Sequence, residues 1–379
     1  MYKCFLTCPR GLEEQAKVDI FPIINNSKID RGGIKFDADL KSIYSVNVHS
    51  RLGMHLLVKL FEFNATSNEE LYSYAYDFDW NSIINTNQTF LIRLKGKSNY
   101  FKNNNYTVLK IKDAIVDKIK KSKLIRPSID KQNPDIIFSI HINENKITVY
   151  IDSTGTSMHK RGYRNKIHRA MLNESLAAGL IMLSGWDKES PFYDPMCGSG
   201  TLPIEAALMS YNIVPGLLRT DYSFKNWNNY DKSIYDKVVK KAKSRISLNK
   251  DVKIFGYDLA FNNVAIALSS VKTINLQSKI KIQKLDFKNF KPLDTEGTIV
   301  INPPYGERLQ FEIEKLNEFY QMIGDIFKKN CHGHNCFVFS SNLEAIKYIG
   351  LQSKFKLPLK NGKLDCRFIS YPIKSGTYE

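Results

Sequence analysis

Apolar and polar positions along the chain change rhythm three times. Over residues 1 to about 60, strand patterns at 2–8, 34–37 and 54–63 alternate with helical patterns at 11–20 and 39–49, as in a small α+β unit of ferredoxin-like type. Residues 64–152 are more polar, with a strand expected at 89–95, a helix at 110–121 and strands at 135–142 and 146–152. The tight Asn143-Glu144-Asn145 link makes the last two a hairpin. A basic stretch, 153–167, leads into an apolar helix at 171–183 that is too short to span a bilayer. From Pro191 onward strand and helix alternate, the signature of a doubly wound sheet. The spacing from Asp194 to Asp258 exceeds a single helical crossover, so 210–250 reads as an insertion. Its Tyr222, Phe224, Trp227 and lysines are candidates for holding substrate or for capping the domain.

The chemistry concentrates at strand ends. The apolar run Thr298-Ile299-Val300-Ile301 stops at Asn302-Pro303-Pro304-Tyr305. Two successive prolines fix φ and remove donors, so this turn presents acceptors at a strand's carboxyl end, where open α/β sheets bind ligands. Such a turn suits an exocyclic amine. Its N–H groups meet the Asn302 amide oxygen and a proline carbonyl, which leaves the nitrogen lone pair facing an electrophile. Tyr305 offers a face for a planar base. Upstream, Asp194-Pro195-Met196-Cys197-Gly198-Ser199-Gly200-Thr201 joins a short strand to a helix with Pro203 in its first turn. Gly198 and Gly200 let a backbone approach a ligand closely, and the free N–H groups of the helix start suit a carboxylate. The third glycine of the dinucleotide fingerprint and a P-loop lysine are both missing, which disfavours a pyrophosphate. Asp258 ends the strand pattern 253–258, where a carboxylate can accept from both ribose hydroxyls. Asp286 ends a second such pattern and is expected to accept from an adenine amine beside Phe287.

Composition then narrows the partners. A length of 379 residues with 43% hydrophobic content supports two or three folded domains. The formal net charge of +17 points to nucleic acid rather than membrane. Lys95, Lys97 and Lys102 beside Tyr100 and Phe101, and the cluster Lys118, Lys120, Lys121 and Lys123, are candidates for phosphate and base contacts. Without a long apolar run or a signal-type start, the chain is expected to be cytoplasmic. Six scattered cysteines form no disulfide framework there. Cys331-His332-Gly333-His334-Asn335-Cys336 lacks a second ligand pair at finger spacing, so no metal is expected. Cys197 has no histidine nearby in sequence, which argues against a nucleophilic thiol.

Taken together, these residues resemble the class I S-adenosylmethionine-dependent methyltransferases of the amino-methylating type. More closely, the chain is similar to the THUMP-domain 23S rRNA guanine-N2 methyltransferases, the RlmL group, often labelled N6-adenine DNA methylases. Besides DPMCGSGT and INPPYGERL, the resemblance rests on Asp152-Ser153-Thr154-Gly155, His159-Lys160-Arg161-Gly162-Tyr163-Arg164, Val214-Pro215-Gly216-Leu217-Leu218-Arg219 and Asn361-Gly362-Lys363-Leu364-Asp365-Cys366-Arg367. It covers nearly the whole chain.

The resemblance implies a ferredoxin-like domain at 1–63, a THUMP RNA-binding domain at 64–152, a linker with a pre-catalytic helix at 153–185 and a Rossmann-like methyltransferase domain at 186–379. The last is expected to be a seven-stranded sheet of six parallel strands and one antiparallel. S-adenosylmethionine is the implied cofactor, held by Asp194, Pro195, Cys197, Gly198, Gly200, Thr201, Asp258, Asp286, Phe287 and Asn302, with Asn173 or Glu174 near its methionine part. Asn302, Pro303, Pro304 and Tyr305 are the implied catalytic residues. The implied partner is RNA, namely rRNA of the large subunit or its precursor, with neither membrane nor metal. Some relatives carry a second methyltransferase domain, for which 379 residues are expected to leave no room. The alternatives are a tRNA guanine-N2 or an adenine-N6 methyltransferase and, in a different class, a non-catalytic RNA-binding factor in ribosome assembly.

Overall fold

The structure is a computed structural model that describes residues 1–124, 126–164, 172–306 and 313–374. Glu307, Arg308 and Leu309 of the INPPYGERL motif, residues 165–167 of the basic stretch and Met171 of the expected helix lie outside the described residues.

The first sheet is built from β1 (Tyr2–Thr7), β2 (Ser27–Asp30), β3 (Gly33–Ala38), β4 (His55–Asn64), β5 (Thr89–Lys97), β6 (Ser128–Ile129), β7 (Ile136–Asn143) and β8 (Lys146–Asp152). Their spatial order is β2-β3-β1-β4-β8-β7-β5-β6. The strands of the first sixty-odd residues and those of the next ninety therefore share one sheet. The seam is the antiparallel β4/β8 pair, running from Leu57 opposite Asp152 to Asn64 opposite Lys146. Alternation decides the faces. Cys4, Leu6, Leu56, Val58, Val149 and Ile151 join the main core together with residues of α1 (Glu13–Ile20), α2 (Leu40–His49), α3 (Asn68–Asp77) and α4 (Asn104–Lys123). Their neighbours Phe5, Leu57 and Tyr150 form a separate small cluster on the opposite face.

Several elements differ from expectation. Strand β2 is a polar edge strand with no buried residue, so its sequence carries no alternation. Helix α3 lies in the polar stretch, and its start is held twice: the N-cap Ser67 accepts from Glu70 N, while the Glu70 carboxylate accepts from Thr66 N, one residue before the cap. The β7/β8 hairpin forms as expected, with Glu144 at φ 54° in the turn.

The second sheet comprises β9 (Phe192–Asp194), β10 (Ile254–Asp258), β11 (Lys281–Lys284), β12 (Gly297–Ile301), β13 (His334–Ser340), β14 (Phe355–Asn361) and β15 (Leu364–Pro372), in the order β11-β10-β9-β12-β13-β15-β14. Neighbours from β11 to β13 are parallel, while β15 runs antiparallel to both β13 and β14. Six strands thus share one direction and β15 opposes them, as expected. Helices α5 (Glu174–Ser184), α6 (Thr201–Ser210), α7 (Lys232–Lys243), α8 (Phe261–Thr273) and α9 (Ile313–Asn330) complete the domain. None of the described helices is long and apolar enough to cross a membrane.

The insertion ties the two halves together. Tyr222 and Phe224 are buried, and the Phe224 ring lies 4.5 Å from that of Tyr44 in α2, whose hydroxyl accepts from Asp231 N at 3.1 Å. Ser223 and Asn226 donate to the Asp135 carbonyl. With Trp227 buried as well, the insertion's aromatic side chains pack into this internal contact, which fits the capping alternative, because covering them removes apolar surface from water.

Candidate functional site

The chain order reverses between β9 and β12, so the carboxyl ends of β9, β10 and β12 meet at a topological switch point of the sheet. Register brings Asp194 of β9 beside Gly256 of β10 and Ile299 of β12 beside Tyr193 of β9. Asp194, Asp258 and Asn302, more than a hundred residues apart from first to last, thus end neighbouring strands.

The glycine turn is locked from both sides. Cys197 N donates to Tyr257 O and Gly200 N to Cys197 O, each at 2.8 Å. Gly198 N donates to Asp258 Oδ2 at 2.9 Å. Both glycines have positive φ, 52° and 79°. A side chain on Gly200 would strike Ala267 of α8, whereas nothing lies within 4 Å of where one on Gly198 would point. Gly200 is therefore needed for helix packing, and Gly198 leaves open space beside the turn. Gly256 matters in another way, since a Cβ there would meet Ile282, Pro203 and Cys197.

Asp258 does more structural work than its sequence position suggests. Oδ1 accepts from Ala260 N at 2.8 Å and from Asn263 Nδ2 at 3.0 Å, and Oδ2 accepts from Gly198 N. A carboxylate offers about four acceptor positions, so one is left for a ligand hydroxyl unless Asn263 or Gly198 yields. Asp194 is buried, with Met196 N donating to Oδ1 at 3.2 Å; burial, and next the charge of Asp258, pushes its carboxyl well above the usual range. Burial likewise pushes the Cys197 thiol up, which agrees with a packing role beside the buried Pro195.

Asp286 caps the short turn that follows it by accepting from Lys288 N at 3.0 Å. Phe287 is not displayed beside it: the ring is buried against Phe290 and Phe327. Leu259 and Phe261, directly after Asp258, are instead exposed, 61% and 70% accessible. They were missed because an apolar residue after a strand reads as core until its exposure is known.

At the other side of the switch point, Tyr305 donates its hydroxyl to Asn302 Oδ1. The Pro304 carbonyl accepts from Tyr320 at 3.3 Å, and Tyr320 also bonds Ser340 Oγ at 2.6 Å. Asn342 Nδ2 holds the Tyr305 carbonyl at 3.0 Å. Among the described residues no donor reaches the Pro303 carbonyl. The turn is braced by Tyr320 of α9 and by Asn342, just beyond β13, partners that lie 16 and 37 residues away.

Beside the glycine turn, Arg164 donates to Thr201 Oγ1 at 2.7 Å and to Leu172 O at 2.8 Å, and its Nε lies 3.3 Å from Glu174 Oε1. Glu174 is buried, its carboxyl raised by that burial against the opposing charge of Arg164. Asn173 is engaged as the cap of α5, accepting from Ser175 N and Leu176 N.

An open glycine cradle at the start of α6, the remaining acceptor of Asp258 and the exposed Leu259 fit S-adenosylmethionine: backbone N–H groups for its carboxylate, a charged acceptor for a ribose hydroxyl and apolar surface for its base.

Comparison with known proteins agrees with this arrangement. Residues 161–369 match the RMKL-like methyltransferase domain, 65–152 the THUMP domain and 3–57 the RlmL ferredoxin-like domain. A Synechocystis protein named "Putative RNA methyltransferase slr0064" is 35% identical over 97% of this chain and 96% of its own length. The ribosomal RNA large subunit methyltransferase K/L of Shewanella amazonensis is 33% identical over 98% of this chain, which spans 53% of that protein. Among solved structures, SMU.472 complexed with SAH superposes with a TM-score of 0.90 at 26% identity, covering 100% of this chain and 99% of that one. A possible methylase from Clostridium difficile 630 gives 0.89 at 30% identity with full coverage of both chains.

Proposed function

The chain belongs to the RMKL-like methyltransferase family, and from that premise we propose that it methylates the exocyclic N2 of a guanine in 23S rRNA, with the cofactor held by the β9 and β10 strand ends. The observation that carries this reading is Asn302 at the end of β12, next to the cofactor strand β9 across the switch point. The large-subunit target is supported by the names of the K/L relatives, of which the chain spans about half. The THUMP match and the charge of +17 support RNA as the polymer.

When bound, S-adenosylmethionine supplies a methyl group made electrophilic by its sulfonium. The protein's part is to position the amine and favour a tetrahedral nitrogen. Guanine N2 is a poor nucleophile because its lone pair is delocalised into the ring. The Asn302 amide oxygen and the Pro303 carbonyl accept its two N–H bonds, and both bonds strengthen as positive charge develops on nitrogen. The same acceptors hold the nitrogen while it afterwards loses a proton to water, the cofactor leaving as S-adenosylhomocysteine. Asn302 Oδ1 already accepts from Tyr305, so arrival of the amine must share or replace that bond, which frees the Tyr305 ring to lie against the base. A guanine in a helix must first leave its stack, at a cost of a few kcal/mol.

The test is nucleoside mass spectrometry of rRNA from a deletion strain, complemented with wild type or with Asn302→Ala. The expected result is one N2-methylguanosine that disappears on deletion and returns only with the wild-type gene. Loss of N6-methyladenosine instead would move the assignment to adenine, and an unchanged nucleoside profile would overturn the rRNA reading.

A further inference from the structure

Among the described residues, helices α1 to α4 pack against one face of the eight-stranded sheet. Its other face floors a groove of about 1250 Å³ that crosses the β4/β8 seam. Pairing puts directly opposed residues on the same face. Phe5 lies opposite Lys35 and Leu57, Lys59 opposite Tyr150, and His141 opposite both Thr148 and Lys95. Strands from both N-terminal regions therefore contribute to one surface.

The charge on that surface is one-sided. Eight lysines and arginines line the groove against three carboxylates. The carboxylates are partly consumed: Asp30 pairs with Lys35, and Glu62 with both Lys59 and Lys146 at 3.0 Å. Lys3, Arg10, Lys28, Arg31 and Lys95 are exposed and, among the described residues, have no carboxylate within ion-pair distance. The aromatic floor is not a stacking platform, because Phe5 and Tyr150 are each 8% exposed and packed around His141. Free cations over a closed floor suit a polyanion's backbone better than unstacked bases.

The groove also has a defined end. Met54, His55, Ser157 and His159 line it there, and the last two belong to the linker. Two residues on, Arg161 is buried and holds Glu205 of α6, the helix that follows the glycine turn. A polymer lying in the groove is thus held by a surface fixed to the catalytic half.

We infer that this groove cradles the sugar-phosphate backbone of structured RNA, and that it, rather than the lysine-rich end of α4, is the main RNA-holding surface. The inference rests on the reading of the chain as an RNA methyltransferase and adds where the RNA lies. Each phosphate contact contributes about 0.7 to 0.9 to the slope of log affinity against log salt.

The test compares two full-length variants with the same change in charge. One carries Lys3→Gln, Lys28→Gln and Lys95→Gln in the groove, and the other Lys120→Gln, Lys121→Gln and Lys123→Gln at the end of α4. Binding of an unmodified 23S rRNA transcript is measured across a salt series, with S-adenosylmethionine titration as the check that each variant is folded. The groove variant should bind at least tenfold more weakly at 150 mM salt and lose about two units of slope, while the α4 variant changes less than threefold. Equal weakening of the two, or a larger loss from α4, overturns the groove. A wild-type chain that binds no transcript defeats the RNA reading itself, and the groove with it. A wild type that binds alongside an unaffected groove variant defeats the groove alone.

Discussion

Arg161 and Glu205, 44 residues apart, face each other with both side chains fully buried, Nε lying 3.4 Å from Oε1 and Nη2 3.5 Å from Oε2. Tyr163 donates to the same carboxylate at 3.3 Å, and the guanidinium also donates to the carbonyls of Met158 and Arg51. The linker is thereby fixed to α6 on one side and to Arg51, two residues after α2, on the other.

Removing one member of this pair leaves the other buried without its counter-charge. Glu205→Ala should cost about 3 to 5 kcal/mol of stability, read as a lower urea midpoint. Replacing both with apolar residues, Arg161→Met with Glu205→Leu, should recover much of that loss, since the desolvation of both charges is removed as well. A Glu205→Ala midpoint equal to wild type would show that the pair contributes nothing.

Asp258→Ala removes a charged acceptor and also releases the Gly198 and Asn263 bonds that shape the cradle. Cofactor affinity should fall by about 1.5 to 3 kcal/mol, tenfold or more by calorimetry. RNA affinity should hardly change. An unaltered cofactor constant in the folded variant would remove Asp258 from the site.

Asn302→Ala should lower turnover by about two orders of magnitude with cofactor and RNA affinities nearly intact, because its bonds strengthen mainly in the transition state. Asn302→Asp keeps an acceptor and should retain more activity than Ala. Single-turnover methyl transfer at saturating RNA and cofactor measures both, and an Ala variant as fast as wild type would reduce the turn to a structural feature.

Tyr305→Phe deletes the hydroxyl bound to Asn302 Oδ1 and keeps the ring. A bond worth about 0.5 to 1.5 kcal/mol no longer has to be given up to the amine, so Phe should match or exceed wild-type kcat/KM, whereas Ala should lose it. Equal losses in Phe and Ala would mean that the hydroxyl itself is needed.

Burial, and after it the charge of Lys95, pushes the His141 imidazole down to about 4 from its ordinary 6.5. The unfolded chain therefore takes up this proton at a higher pH than the folded one. Stability should be full above about pH 6.5 and fall progressively as pH drops toward 4. His141→Asn should flatten the thermal-melt profile across that window, and an unchanged slope would show that His141 does not govern it.

The sequence by itself determined the features whose causes are local. The run Thr298-Ile299-Val300-Ile301 stopping at Asn302-Pro303-Pro304, the glycines just after Cys197 and an acid closing an apolar run each specify a backbone state within a few residues, and the strand ends of β9, β10 and β12 carry them. Alternation likewise marked β1, β4 and the β7/β8 hairpin. What only the tertiary structure decided are contacts between residues far apart, since these depend on which surfaces are complementary once the loops between them close. Asp258 binding Gly198 N, Tyr305 turning onto Asn302 under bracing from Asn342, and Arg161 meeting Glu205 are of this kind. So are the burials: Phe287 entering the core while Leu259 stays outside, and Phe224 packing onto Tyr44 with Tyr222 stacked on it in turn. An aromatic residue's sequence context is the same whether it faces a ligand or a helix, and the surface that covers it is supplied by the rest of the fold.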